Sequence, residues 1–160
     1  MIFVTVGSEK FPFDRLLHLI DENIRGGVIN EEVIGQTGYS SYVPALYNHF
    51  KFLPFQEFLN YIQKADIIVS HAGVGSVLSC LNFGKIPIVF PRSKDHGEHL
   101  DDHQVEFAEE MDRQHKVITA HNEQELIDKI KYYRGFTRKL HNKNISPCEN
   151  NLVSFLKSVL

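Results

Sequence analysis

The sequence predicts one α/β domain: a doubly wound, Rossmann-like parallel sheet. Three observations carry this. Short β-branched runs alternate with longer segments whose apolar residues recur at helical spacing. Residues 66–90 hold a complete strand–helix–strand unit, and parallel strands need such crossovers. Glycines stand where strands must turn, at Gly7 and Gly38 and in the run that ends at Ser76.

Each element follows from its local pattern. Residues 2–6, Ile-Phe-Val-Thr-Val, read as a buried strand closed by Gly7. Residues 12–24 carry the stripe Leu16, Leu17, Leu19, Ile20 and Ile24, which is one face of a helix. Residues 32–36 read as a second strand and 48–53 as a short third. Phe55, Phe58, Leu59 and Ile62 mark a helix ending near Lys64. Residues 66–70 form a strand, 74–83 a helix and 86–90 a strand. A helix is expected over 100–111, a strand over 116–119, and a last helix over 122–133 with Asn122 as its cap. The expected domain covers 1–134. Residues 135–160 read as an extension: polar and basic to Asn151, interrupted by Pro147, then Leu152, Val153, Phe155, Leu156, Val159 and Leu160 on one amphipathic helical face. That face is a candidate docking element, or a terminal helix folding back on its own domain.

Bulk properties narrow the function. A chain of 160 residues with 42% hydrophobic and 23% charged residues suits one globular core. A formal charge of −3 argues against a nucleic-acid partner, which selects a basic excess. Two cysteines, Cys80 and Cys148, are too few for a disulfide framework. No apolar run is long enough to span a bilayer, and residues 1–6 carry no basic leader. The expected location is cytoplasmic, with membrane recruitment through a partner.

Three segments bear chemistry. In Ser70-His71-Ala72-Gly73-Val74-Gly75-Ser76 a strand leads into a helix at the carboxyl edge of the sheet, where ligands bind in such folds. Gly73 and Gly75 allow close backbone approach, and the first N–H groups of the helix suit a phosphate. Ser76 and His71 are candidate donors. The same spacing serves a plain strand-to-helix turn equally well. Gly7-Ser8 ends the first strand at the same edge, and Gln36-Thr37-Gly38 ends the second. Residues 91–104 follow a strand and are strongly polar, with His96, His99 and His103 among them. Two readings stay open there: a grip on sugar hydroxyls, or a metal site and hence a metal-dependent hydrolase. Gly97 weakens the second, and the spacing is not that of the zinc-protease helix. Phe52 and Phe55 could pack on a base, although such spacing is commoner in cores. His18, His49, His115, His121 and His141 have no partners in the pattern.

Four ordered motifs together carry a resemblance. They are Phe3-Val4-Thr5-Val6-Gly7 with Phe13-Asp14-Arg15-Leu16; Ala65-Asp66-Ile67-Ile68-Val69-Ser70-His71-Ala72-Gly73-x-Gly75-Ser76; Gly84-Lys85-x-Pro87-x-Val89-x-Pro91-Arg92; and Gly97-Glu98-His99-x-Asp101-Asp102-His103-Gln104. Over roughly residues 2–130 the chain resembles the glycosyltransferase family 28 C-terminal domain, the UDP-sugar-binding half of GT-B enzymes. It is similar to short stand-alone forms of that domain: the soluble subunit of the dolichol-pathway N-acetylglucosaminyltransferase and the PssE-type subunits of bacterial exopolysaccharide and capsule synthesis. The Pro-Arg and Glu-His-x-x-Asp-His-Gln signatures favour the bacterial branch.

The resemblance implies a UDP-sugar donor and a hexosyltransferase, with no cofactor and no metal. It assigns phosphate and leaving-group contacts to His71 and Ser76 and to the backbone at Gly73, Val74 and Gly75. Gly7, Ser8, Gln36, Arg92, Glu98, His99, His103 and Gln104 complete the expected donor site. Relatives carry an acidic ribose contact where this chain has Ser79, so that contact is weakened or moved. Two-domain relatives hold the acceptor base on their other half. The implied partner is therefore a membrane-associated subunit presenting a lipid-linked saccharide acceptor. A non-catalytic accessory role beside such a transferase is the alternative. The transferred sugar stays open among galactose, glucuronic acid and N-acetylglucosamine.

Overall fold

The computed structural model describes residues 1–141. In chain order the elements are β1 (Ile2–Thr5), α1 (Asp14–Arg25), β2 (Val33–Gln36), β3 (Asn48–Phe50), α2 (Phe55–Lys64), β4 (Ile67–Ser70), α3 (Val74–Asn82), β5 (Ile88–Val89), α4 (His103–Arg113), β6 (Ile118–Thr119), α5 (Glu123–Lys131) and α6 (Tyr133–His141). The strands form one sheet in the order β3-β2-β1-β4-β5-β6. Every pairing is parallel. The doubly wound fold predicted from the alternating pattern is thus the fold observed.

Strand periodicity sorts the core onto two faces. Ile2, Val4 and Val6 of the first strand segment, with Ile67 and Val69 of β4, pack against Leu16, Leu17 and Ile20 of α1 and Leu126 and Ile130 of α5. Phe3 and Ile68 point the other way, onto Phe58 and Ile62 of α2 and Cys80 of α3. Val89 continues that second face against Val77 and Leu81 of α3 and Phe107, Ala108 and Met111 of α4. Strands buried on both faces need continuous apolar runs, and this sequence supplies them. Cys80 is a buried free thiol, pushed up to about 12 by burial, and so is chemically quiet.

Several boundaries differ from expectation. The helix expected from Leu100 starts at His103, because Lys94–His96 forms a single tight turn ended by left-handed Gly97, with loop to Asp102. The expected cap at Asn122 is present: its side chain accepts from Glu125 N at 2.9 Å, and Glu125 accepts in turn from His121 N at 3.1 Å. Helix α6 runs across residue 134, where the extension was expected to begin. Tyr133 and Phe136 pack on the main core, and the Tyr133 hydroxyl donates to Ile86 O at 2.6 Å. Cys148, Pro147 and the apolar face expected at 152–160 lie outside the described residues.

The long loop between β2 and β3 is strapped to α1 by two carboxylates. Asp21, fully buried, accepts from the Tyr42 hydroxyl at 2.8 Å, Ala45 N at 2.7 Å and Leu46 N at 3.0 Å. Asp14 accepts from Ser41 N and Tyr42 N. A buried charge is tolerated here because its lone pairs are met by aligned donors.

Candidate functional site

Register brings three strand ends to one line. Thr5 pairs with Gln36 of β2 and with Ser70 of β4. The chain winds outward in both directions from β1 and β4, so the loops after these strands diverge to opposite faces. Such a switch point leaves a crevice outside the carboxyl ends of the strands. A cleft of about 560 Å³ lies there, within the size range of small-molecule sites. Of the residues selected from sequence, Gly7, Ser8, Gln36, His71, Gly73, Val74, Gly75, Ser76 and Ser79 line it.

The start of α3 combines an open N-terminus with the absence of any acidic residue in its first turn. Its cap residue is Gly73, which offers no side-chain acceptor. Helix α5 is the contrast, with a capping Asn122 and with Glu123 and Glu125 in its first turn. The N–H groups at Val74, Gly75 and Ser76 therefore meet the cleft with the positive end of the helix dipole behind them. A Cβ added at Gly75 would have nothing within 4 Å, so open space adjoins these donors. The Ser79 hydroxyl donates back to Gly75 O at 2.8 Å, one turn earlier.

The two flanking glycines have a different reason. A Cβ at Gly73 would lie 2.1 Å from His71 Nε2, and one at Gly7 would lie 2.4 Å from His71 Cε1. The His71 ring is thus wedged between two backbone segments that only glycine can form. Gly7 also has φ +76, a left-handed conformation that side chains resist. Its carbonyl accepts from Gln36 Nε2 at 3.2 Å, and its N–H donates to Thr5 Oγ1 at 3.1 Å. Gln36 is buried and holds the β1 loop in place.

Burial, with help from the nearby Arg92 guanidinium, depresses His71 to about 3, against a weaker pull from the Thr5 carbonyl. His71 is therefore neutral at working pH, and its Nδ1 has no protein partner. An unfolded histidine takes up a proton near pH 6.5. Between that value and about 3 the unfolded chain binds one proton more than the folded one. Stability from this group is complete above pH 6.5 and falls as pH drops through the window, by at most about 1.4 kcal/mol per unit. Urea unfolding between pH 7 and 5 is expected to show this slope, and His71→Asn is expected to flatten it. Equal slopes in the two proteins would disprove the assignment.

Five sequence-selected residues lie outside the cleft, each for a visible reason. Arg92 is fully buried and works on the backbone: its Nη2 donates to Val6 O at 2.7 Å and to Phe11 O at 2.8 Å. Gln104 is buried and its Oε1 accepts from Arg92 N at 3.3 Å. Glu98 forms a two-pronged pair with Arg15, both contacts 2.8 Å, and accepts from Ser93 N. His99 packs its ring 4.4 Å from that of Phe11 and meets Asp101 through Nδ1 at 2.9 Å. His103 is exposed at the first turn of α4, between Asp101 and Glu106. Arg92 and His99 thus hold the segment after β5 against the loop after β1, and Glu98 ties it to α1. Among the described residues, no three His, Cys, Asp or Glu side chains converge to hold a metal ion. His96, His99 and His103 share no such face, because Gly97 turns the chain before α4 begins.

One cleft residue left no signal in the sequence, and two gave an ambiguous one. Glu9, exposed in the loop after β1, lines the cleft; a lone loop carboxylate leaves no pattern to read. Phe52 and Phe55 line the opposite end, with relative exposures of 42% and 70%. Their spacing allowed either a core or a base-packing role; the sheet ends at β3, and of the described rings only that of Tyr39, 5.2 Å away, packs on Phe52. Hollows of about 470 and 580 Å³ occur elsewhere, over α1 and at the amino edge of the sheet. They carry Asp14, Glu22 and Glu123, and Glu31 and Asp66, respectively.

A doubly wound sheet with an open helix start at its switch point is the arrangement on which many nucleotide-binding domains are built. Within that class the model of the glycosyltransferase family 28 C-terminal domain matches residues 1–154, and the chain belongs to that family. It is similar to the UDP-N-acetylglucosamine transferase subunit ALG13 of Yarrowia lipolytica, with 41% identity over 59 residues, 37% of this chain and 28% of that protein. The ALG13 subunit of Candida albicans is 41% identical over 51 residues, 32% of this chain and 16% of that protein. The chain thus matches under a third of the length of these relatives. Among solved structures, the glycotransferase of kitacinnamycin superposes with a TM-score of 0.60 at 14% identity, over 91% of this chain and 38% of that one. SnogD from Streptomyces nogalater gives 0.53 at 17% identity, over 99% and 43%. These structural likenesses carry the fold, a Rossmann-like half of a GT-B glycosyltransferase.

Among the described residues, no helix is long and apolar enough to cross a membrane.

Proposed function

We propose that this chain is the donor-binding, catalytic subunit of a two-component UDP-sugar glycosyltransferase. It transfers a hexosyl residue to a lipid-linked saccharide in bacterial exopolysaccharide or capsule synthesis. The observation that carries this reading is the uncapped start of α3, opening beside Gly75 into a cleft at the switch point of the sheet. The diphosphate lies on the N–H groups of Val74, Gly75 and Ser76, with the Ser76 hydroxyl and the neutral His71 beside it. The base packs on Phe52 and Phe55 at the β3 end, and Ser79 stands nearest the ribose. Fixed N–H dipoles stabilise the negative charge that develops on the departing UDP, and they need no reorganisation to do so.

The partner is a membrane-associated subunit that presents the acceptor, which recruits this chain from the cytoplasm to the inner face of the membrane. Residues 135–160, with the apolar face expected at 152–160, are the proposed docking element. The curated relatives are named as transferase subunits, which supports a shared assembly.

Coexpression with the product of the neighbouring reading frame, followed by a UDP-sugar screen on membranes, tests the reading. Ser76→Ala is expected to lower transfer by about 10- to 100-fold, in the range for losing a leaving-group donor. Gln104 does not serve this test, because its side chain holds the Arg92 backbone. Unchanged transfer by the Ser76 variant would favour an accessory role.

A further inference from the structure

The chain turns basic after residue 130, and neither the cleft nor the core uses that charge. Residues 131–141 hold Lys131, Arg134, Arg138 and Lys139 and no Asp or Glu, in a chain of formal charge −3. With those four cations set aside, the rest of the chain carries −7. Helix α6 sorts the cations by face. Tyr133 and Phe136 pack on the main core, so the helical period puts Arg134, Arg138 and Lys139 on the opposite arc. All three are exposed, as are Lys131 and Tyr132 just before the helix. Among the described residues, none of the four cations forms an ion pair. Glu31 and Asp66 line the hollow at the amino edge together with Lys131 and Arg134. Asp66 is already held by the Met1 ammonium at 2.7 Å, and Arg134 adds a weaker pull. Arg138 and Lys139 lie further along the helix than Arg134 and line no part of that hollow.

The form of the patch selects its partner. A nucleic acid asks for cations along a track, and a helix of nine residues spans only about 13 Å. The negative charge on the rest of the chain also repels a long polyanion. An anionic lipid surface asks for a compact basic cluster beside an amphipathic aromatic ring. Tyr132 supplies that ring: it is 56% exposed, and Lys131 Nζ lies 5.3 Å from its centroid. We propose that α6 and the two residues before it form a docking face for an anionic membrane surface, so that this chain touches lipid itself as well as through its partner. The proposal deepens the membrane-recruitment reading above and is independent of the donor cleft.

Each cation held near such a surface strengthens partition by about fivefold, and salt screens the attraction over about 10 Å at 0.1 M. Four cations alone give weak, reversible binding, and stable anchoring takes a second signal. The partner subunit is that signal, because two contacts with one membrane raise each other's effective concentration. No rearrangement is required, since the charges already face solvent while Tyr133 and Phe136 keep α6 on the core.

The test is cosedimentation of the full, isolated chain with vesicles of phosphatidylcholine alone and of equimolar phosphatidylcholine and phosphatidylglycerol, at about 0.05 M and about 0.5 M salt. The parent is expected to bind the anionic vesicles at low salt, to leave them at high salt, and to ignore the neutral ones. The double variant Arg138→Gln with Lys139→Gln is expected to bind about 25-fold more weakly, with the melting temperature and UDP affinity of the parent. Lys64→Gln with Lys94→Gln makes the same change in net charge at exposed positions elsewhere; it is expected to bind within about twofold of the parent, because these cations lie off the patch. Equal weakening by the two double variants would overturn the proposal, since the attraction would then be a property of the whole surface. Equal binding to neutral vesicles would overturn it too. So would a parent that ignores anionic vesicles at low salt, which would leave an acidic protein surface as the occupant of α6. A parent that binds anionic vesicles but no UDP would remove the donor-binding reading and leave this one standing.

Discussion

Arg92→Ala is expected to lower the unfolding free energy by about 2–4 kcal/mol, the range for removing a charged donor from buried acceptors. Arg92 is fully buried and ties Val6 O and Phe11 O, so its loss strands two carbonyls and frees the loop after β1. It also stacks its guanidinium 5.3 Å from the Phe13 ring centroid. The balance is not all in its favour. Nε and Nη1 have no protein partner, and burial lowers its basicity. Removing an incompletely paired buried cation therefore recovers some desolvation cost. Arg92→Met, which keeps much of the volume without the charge, is expected to fall between the parent and alanine. Urea titrations with an unchanged m value check both. An alanine variant as stable as the parent would refute the tether.

Gly73→Ala and Gly75→Ala are expected to part company. At Gly73 the new methyl meets a buried histidine ring at 2.1 Å, and His71 has no room to withdraw, being 3% exposed. Overpacking of this kind costs about 1–3 kcal/mol, and relief would move the start of α3. Gly73→Ala should therefore lose both stability and UDP binding. Gly75→Ala meets nothing within 4 Å. It lies in the first turn of α3, where alanine favours the helix by up to about 1 kcal/mol. This variant should be as stable as the parent or more so, yet bind UDP at least about tenfold more weakly, because its methyl occupies the approach to the N–H groups. Thermal melts and calorimetry separate the two effects. Normal UDP affinity in Gly75→Ala would move the diphosphate away from α3.

The same comparison shows what the sequence could tell. Residues 70–76 carried the strand end and the helix start, because both are local consequences of glycine, small residues and apolar spacing. The roles of the two glycines could not be divided from sequence. Gly75 leaves space for a ligand, whereas Gly73 leaves space for His71, and that distinction needs the ring's position. The resemblance assigned Arg92, Glu98 and Gln104 to the donor site, and their position in a polar run after a strand agreed with that. Their partners, at Val6, Phe11 and Arg15, lie some eighty residues away in the chain or on the Arg92 backbone, and no spacing rule reaches them. Phe52 and Phe55 were ambiguous for the converse reason. Helical spacing marks an apolar face, but only the end of the sheet at β3 shows that the two rings stay largely exposed. Glu9 was invisible, since a single carboxylate in a loop acquires meaning only from the cleft around it.

The most direct test of the account is a calorimetric titration of UDP into the isolated, folded chain. The cleft at the α3 start predicts saturable binding at one site per chain, with a Kd below about 1 mM, equivalent to at least about 4 kcal/mol. It also predicts that Gly75→Ala weakens this binding without loss of fold. A folded parent chain that gives no binding heat at millimolar UDP would contradict the account.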